Sequence, residues 1–171
     1  MSNIVLIGFM GVGKGSVARE VVKNSSYIAI DTDDLIESME NKKIKNIFDE
    51  IGEAYFRDLE KNVAHWLEKS VDNTLISTGG GFYKQKNINK IGTVVLLDSS
   101  FKEIIKRIKE HPNAKKKLKK RPLLADLKMA EKLYNERLPE YKKLADIVVD
   151  VTHKTAQECS KEILKKVKKY V

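Results

Sequence analysis

Short apolar runs rich in β-branched residues alternate with helical patterns along the whole chain, and this alternation leaves few folds open. The runs are residues 3–7, 27–30, 74–77, 93–97 and 146–151, each about five residues long. Several are almost wholly apolar, as strands buried on both faces of a parallel sheet must be. Helical patterns fill the gaps at 13–22, 34–39, 46–51, 56–70, 101–110, 124–141 and 155–170. The Asp31–Asp34 cluster suits a helix N-cap. Gly52 reads as a C-cap and Pro139 as a kink or restart in its helix. Strand–helix alternation of this kind builds right-handed βαβ units. We therefore expect an α/β fold, a five-stranded parallel sheet flanked by helices.

Other classes are excluded quickly. At 171 residues the chain makes about one domain with a core of its own. Its 42% hydrophobic and 33% charged residues do not suit a disordered or fibrous chain. No run approaches the roughly 20 apolar residues that span a membrane. The apolar start, residues 4–12, holds two glycines and no preceding positive charge, so it reads as a strand and turn rather than a leader. A single cysteine, Cys159, cannot pair internally, which points to a cytoplasmic setting. The net charge of +9 is uneven: residues 1–100 carry 12 Lys and Arg against 14 Asp and Glu, while residues 101–171 carry 21 against 10. Aromatic residues do not interleave the lysine run, so nucleic acid is not the expected partner.

The strongest local signal is GFMGVGKGS at 8–16, which contains G-x-x-x-x-G-K as Gly8, Gly13 and Lys14. Its position between a strand pattern and a helix pattern is the context a phosphate loop requires. Glycines let the backbone aim successive N–H groups at a phosphate, and the following helix adds its positive end. Lys14 supplies a point charge. The residue after the lysine is ordinarily Ser or Thr, whose hydroxyl binds Mg²⁺. Here it is Gly15, followed by Ser16. Either a water takes that position on the metal or Ser16 reaches in from one residue later.

Other residues stand out on their chemistry. Asp31 and Asp33 sit two apart at a strand's carboxyl end, where ligands bind in open α/β sheets. They serve either chemistry or a helix cap. Arg57 and Glu60 share a helix face. Gly79, Gly80 and Gly81 follow the third strand, a wasteful choice for a mere connection. Their backbone N–H groups are expected to approach a polar ligand. Residues 111–121, HPNAKKKLKKR, are basic and poorly apolar, and read as a mobile loop or lid. His65, His111 and His153 have no metal-ligand spacing.

Six motifs in order, GFMGVGKGS at 8–16, DTD at 31–33, IFDEIGEAYFRDLE at 47–60, STGGG at 77–81, RPLL at 121–124 and ERLPEY at 136–141, make the chain resemble the shikimate kinases. These belong to the nucleoside-monophosphate-kinase-like P-loop proteins, and the resemblance covers nearly the whole chain. It implies a single kinase domain with core 1–32, 62–110 and 125–171, a shikimate-binding region 33–61 and a lid at about 111–124. It implies transfer of the ATP γ-phosphoryl to the 3-hydroxyl of shikimate, with Mg²⁺, by a monomer in the pathway toward aromatic amino acids. Gly11, Val12, Gly13, Lys14, Gly15 and Ser16 would hold ATP, and Arg107 would stack on its base. Asp31, with Ser16, would organise the metal. Asp33 would hold the 3-hydroxyl and accept its proton. Arg57 and Arg137 would grip the shikimate carboxylate, with Glu60 orienting Arg57. Phe48 would wall the acceptor site, with Met10 at its border and Ser77 near a metal-bound water. Gly79, Gly80 and Gly81 would line the acceptor's hydroxyls. Arg121 would swing over the phosphoryl group in transfer. Two rivals remain open at this stage: a P-loop kinase of another small acceptor, such as gluconate or a nucleoside monophosphate, and a nucleotide-binding protein without turnover.

Overall fold

A computed structural model describes residues 2–119 and 122–168. The five strands are β1 (Asn3–Ile7), β2 (Ile28–Asp31), β3 (Thr74–Ser77), β4 (Gly92–Asp98) and β5 (Ile147–Asp150). All pair in parallel, in the order β2-β3-β1-β4-β5. The central strand β1 is buried along its whole length, as is β3, whereas β5 at the edge alternates buried and exposed. Continuous apolar runs therefore mark the middle of the sheet and the alternating run marks its rim. Asn3 joins the strand starts. Its amide donates to the carbonyls of Val71 and Ile91, and its Oδ1 accepts from the Thr74 N–H.

Nine α-helices cover the sheet among the described residues: α1 (Lys14–Lys23), α2 (Thr32–Glu40), α3 (Ile44–Glu50), α4 (Glu53–Ser70), α5 (Ile88–Ile91), α6 (Phe101–Glu110), α7 (Ala114–Lys119), α8 (Leu127–Leu144) and α9 (Ala156–Val167). Helix α1 packs on α9, and α4 packs on α2, α3 and α5. The amphipathic face of α6 buries Ile104, Ile105 and Ile108. Helix α9 opens on a reciprocal cap between Thr155 and Glu158. None of the described helices is long and apolar enough to cross a membrane.

Three expectations need correction. Residues 111–121 are not loop throughout, because α7 occupies Ala114–Lys119 and Leu118 packs against the core. One apolar anchor per turn suffices to fold a lysine-rich helix down. Gly52 is not the C-cap of α3, a position held by Ile51. Gly52 is the N-cap of α4, at φ 111°, a left-side conformation that makes the abrupt turn between two helices. Helix α2 starts at Thr32, capped by Asp31, rather than at Asp34. Pro139 lies inside α8, the helix in which the sequence pattern put it. Three further short elements escaped the sequence reading, α5 and 3₁₀ turns at Phe82–Lys84 and Pro122–Leu124.

Candidate active site

The carboxyl ends of β2, β3 and β1 lie side by side, and each delivers one part of a polar cluster. From β1 comes the phosphate loop. Gly8, Gly11 and Gly13 have φ of 146°, 84° and 109°, so the glycines of this loop carry conformations that other residues rarely adopt. The Lys14 ammonium lies across the loop, donating to the Gly8 carbonyl at 2.6 Å and the Phe9 carbonyl at 3.3 Å. Gly15, the second residue of α1, has no side chain. Arg19, one turn on, donates to Ser16 Oγ at 3.3 Å and lies 3.7 Å from where a Cβ on Gly15 would stand.

From β2 come Asp31 and Asp33. The helix-cap reading holds for Asp31, and Asp33 stands apart from it. Asp31 Oδ1 caps α2 by accepting from the Asp33 and Asp34 N–H groups, and its Oδ2 accepts from the Ser77 hydroxyl at 2.8 Å. Asp33 does no capping with its side chain. Its Oδ1 is buried and finds no hydrogen-bond partner among the described residues. Burial pushes its carboxyl up to about 7, and the negative charges of Asp31, Glu60 and Asp34 add to that against the pull of Lys14. A carboxylate with an unclaimed oxygen and a pKa near neutrality is poised to exchange a proton.

From β3 comes the triple glycine. Thr78 fixes its start, donating both its N–H and its hydroxyl to the Leu6 carbonyl, so the turn stands beside the phosphate loop. None of these glycines has positive φ, and the Gly79 N–H is given to the Thr32 hydroxyl at 3.0 Å. What the turn needs is the absence of side chains. A methyl on Gly79 would overlap the Asp33 carboxylate. One on Gly80 would stand 2.9 Å from Arg137 Nη1, and one on Gly81 would stand 2.6 Å from Arg57 Nη1. Three bare positions in a row receive three functional side chains.

Those side chains are themselves held. Arg57 donates from Nη1 to Glu60 at 2.6 Å, and from Nε and Nη2 to Glu53 at 3.1 and 2.8 Å. Glu60 is 1% exposed, and burial raises its carboxyl pKa although Arg57 and Arg137 pull the other way. A buried charge pair of this quality orients rather than stabilises. Arg137 on α8 donates to the Gly80 carbonyl at 3.0 Å. Phe48 is half-buried, its ring 4.9 Å from that of Phe56, over which the Arg57 guanidinium also sits. Arg107 stands on the other side of the phosphate loop. It donates to the Val12 carbonyl at 3.3 Å and to the Val151 carbonyl at 2.6 Å. Beside it opens a cleft of about 460 Å³, lined also by His111, Pro112, His153 and Thr155. Arg121 lies outside the described residues.

Of the residues singled out in the sequence, the fold brings Lys14, Asp33, Arg57, Glu60, the three glycines and Arg137 together. Sequence reading missed Glu53, Thr32 and residues 153–155. The spacing of Glu53 four before Arg57 was the one available signal.

A parallel sheet with a phosphate loop on its first strand, a buried carboxylate opposite and two arginines behind it defines a P-loop kinase of a small anionic acceptor. Comparison with known proteins narrows the class. A family model described as shikimate kinase matches residues 10–168. The chain is 40% identical to the shikimate kinase of Helicobacter hepaticus over 88% of its own length and 87% of that protein's. It is 43% identical to that of Clostridium botulinum (strain ATCC 19397 / Type A), covering 90% and 91%. Shikimate kinase from Acinetobacter baumannii, solved in complex with shikimate, superposes with a TM-score of 0.85 at 27% identity, covering 99% of this chain and 94% of that one. The Aquifex aeolicus enzyme gives 0.80 at 34%, covering 97% and 96%. A gluconokinase from Sinorhizobium meliloti gives 0.61 at 15% identity, covering 99% and 93%, which shares the fold alone. The chain belongs to the shikimate kinase family and is an ATP-dependent kinase.

Proposed function

We propose that this chain transfers the γ-phosphoryl group of ATP to the 3-hydroxyl of shikimate, giving shikimate 3-phosphate and ADP. One observation carries the residue assignment: the triple glycine turn seats Asp33, Arg137 and Arg57 against one short segment beside the phosphate loop. A polyhydroxy carboxylic acid needs that combination, a proton acceptor for its hydroxyl and guanidinium groups for its carboxylate. The acceptor region is 33–61 and the lid about 111–124, on the core formed by the rest.

In this reading the phosphate loop from Gly11 to Ser16 wraps the phosphates, and Lys14 leaves the loop carbonyls to meet them. Arg107 flanks the base in the cleft beside residues 153–155. Arg57 and Arg137 hold the acceptor's carboxylate, Glu60 keeps Arg57 aimed, and Phe48 closes the side of the site. The acceptor oxygen forms its bond to γ-phosphorus while the bond to the β–γ bridging oxygen breaks. The acceptor's proton passes to Asp33, and ADP leaves. Arg121 meets the charge spread over the phosphoryl oxygens.

The donor set suits a hydrated Mg²⁺. No cluster of three or more His, Cys, Asp or Glu among the described residues forms a metal cage, and the Asp31 carboxylate, with the Ser77 hydroxyl on it, stands at the carboxyl end of β2, on the same edge of the sheet as the start of the phosphate loop. An ion that keeps its waters and leans on phosphate oxygens needs little more. When bound, it neutralises charge on the phosphates. Asp31 would hold it through water, with Ser16 the next available oxygen.

The test is ADP release by the purified chain with ATP, with and without shikimate, across a Mg²⁺ titration. Shikimate-dependent release supports the assignment. Release unaffected by shikimate, or present only with another acceptor, overturns it.

A further inference from the structure

The triple glycine turn is gripped on two sides, and two of the groups that do so, Thr32 and Tyr141, have no role in the assignment above. On one side, the Gly79 N–H donates to the hydroxyl of Thr32, a residue with no exposed surface. On the other, the Gly80 carbonyl accepts two hydrogen bonds, from Arg137 Nη1 at 3.0 Å and from the Tyr141 hydroxyl at 2.8 Å. Tyr141 is 2% exposed and lies one helical turn beyond Arg137 on α8. Its ring packs edge-on against Tyr83, centroids 4.9 Å apart. Burial pushes its phenol up to about 12, so it stays a donor across the working pH range. The carbonyl that anchors Arg137 therefore cannot rotate without breaking a second, buried bond. The aromatic ring of the ERLPEY motif also serves core packing, but packing alone does not require the hydroxyl.

We propose that Tyr141 is a positioning residue. By fixing the Gly80 carbonyl it holds the Arg137 guanidinium and the glycine turn in the arrangement that receives the acceptor's carboxylate, while Thr32 pins Gly79 under Asp33. This rests on the acceptor assignment made above. Tyr141→Phe removes one oxygen and keeps the ring, and the Gly80 carbonyl keeps Arg137, so no buried acceptor is orphaned and the fold survives.

The variants are compared in the full-length chain with shikimate and with an analogue bearing a primary alcohol in place of the carboxylate. For Tyr141→Phe the shikimate KM rises about 3–10-fold, the effect of one hydrogen bond. The ATP KM and the analogue's KM stay as in the parent. For Thr32→Val the fall is in kcat, through Asp33. Amide exchange over residues 79–82, which needs no acceptor, is faster in both variants. If Tyr141→Phe lowers the melting temperature but leaves the shikimate KM unchanged, or raises the KM of both acceptors alike, the proposal is wrong. Unchanged amide exchange overturns it as well. Failure of the parent chain itself to turn over shikimate would instead sink the acceptor assignment, and the exchange measurement would still decide whether the turn is pinned.

Discussion

Ionising Asp33 inside the folded chain works against its burial and against the charges of Asp31 and Glu60. The unfolded chain ionises this carboxyl near 3.8 and the folded chain near 7. Between those values the folded chain keeps a proton that the unfolded chain has released, so stability falls as pH rises through that window, and the whole loss is present above it. Asp33→Asn removes the loss. We predict a variant that melts several degrees higher than the parent at pH 8, with the gap closing toward pH 4. The same variant loses about 10²–10⁴-fold in kcat, and the parent's kcat/KM declines as pH drops below about 7. Thermal melts at several pH values with matched kinetics check both halves; a variant less stable than the parent at pH 8 contradicts the account. Gly15 gives a second prediction. A serine there meets no steric obstacle, since the nearest atom to its Cβ is Arg19 Nη1 at 3.7 Å. Gly15→Ser should therefore restore a direct metal ligand and lower the Mg²⁺ concentration at half-maximal rate several-fold. An unchanged or raised midpoint in the Mg²⁺ titration would mean that water already serves that position fully.

The glycine turn is the element where one kind of substitution has separable consequences. All three glycines have backbone conformations open to alanine, so the damage comes from the methyl group and the side chain it displaces. Gly79→Ala pushes Asp33 and should lower kcat about 100-fold, the scale of a misplacement near 1 Å. Gly81→Ala pushes Arg57 and should raise the KM for shikimate with a smaller effect on kcat. Steady-state kinetics on the two variants separates these outcomes; identical kinetic changes would mean that the turn moves as a whole. This logic was not readable from the sequence. The string STGGG announced a turn near a ligand, and its position after a strand was right. Which neighbour each bare Cα accommodates depends on α2, α4 and α8 converging from 46, 24 and 57 residues away, counted from Asp33, Arg57 and Arg137 to the glycine each faces. Elements that announced themselves did so through local physics. The bounds 3–7, 74–77 and 101–110 came from apolar periodicity and match the structure residue for residue. The short α5 and the 3₁₀ turn at Phe82–Lys84 had no periodicity to display. Helix α7 is held by one leucine against the core, a contact no local pattern encodes.

For the molecule as a whole, strand count and parallel pairing follow from the alternation of patterns, whereas the order β2-β3-β1-β4-β5 does not, because order is a property of crossovers between distant strands. Charge distribution is different, since it is fully written in the sequence and keeps its meaning after folding. Residues 1–100 are net acidic and supply Asp31, Asp33, Arg57 and Glu60. Residues 101–171 hold 21 of the 33 basic residues and supply Arg107, the lysines of α7 and Arg137. Arg107 from the basic half flanks the phosphate loop, and Arg137 from the same half joins Asp33, Arg57 and Glu60 of the acidic half around the glycine turn. A nucleotide polyphosphate feels the summed field of that basic half, while shikimate carries one charge and, in the proposed assignment, meets arginines already paired with carboxylates or a carbonyl. Raising KCl from about 50 to about 500 mM shortens the screening length to a few ångströms. We predict that the ATP KM then rises several-fold, at saturating Mg²⁺, while the shikimate KM changes less than about twofold. Equal rises would mean that ATP, like shikimate, is captured by close contacts alone. In that case the lysines of α7 would be an ordinary solvated face rather than part of the attraction that draws nucleotide into the cleft.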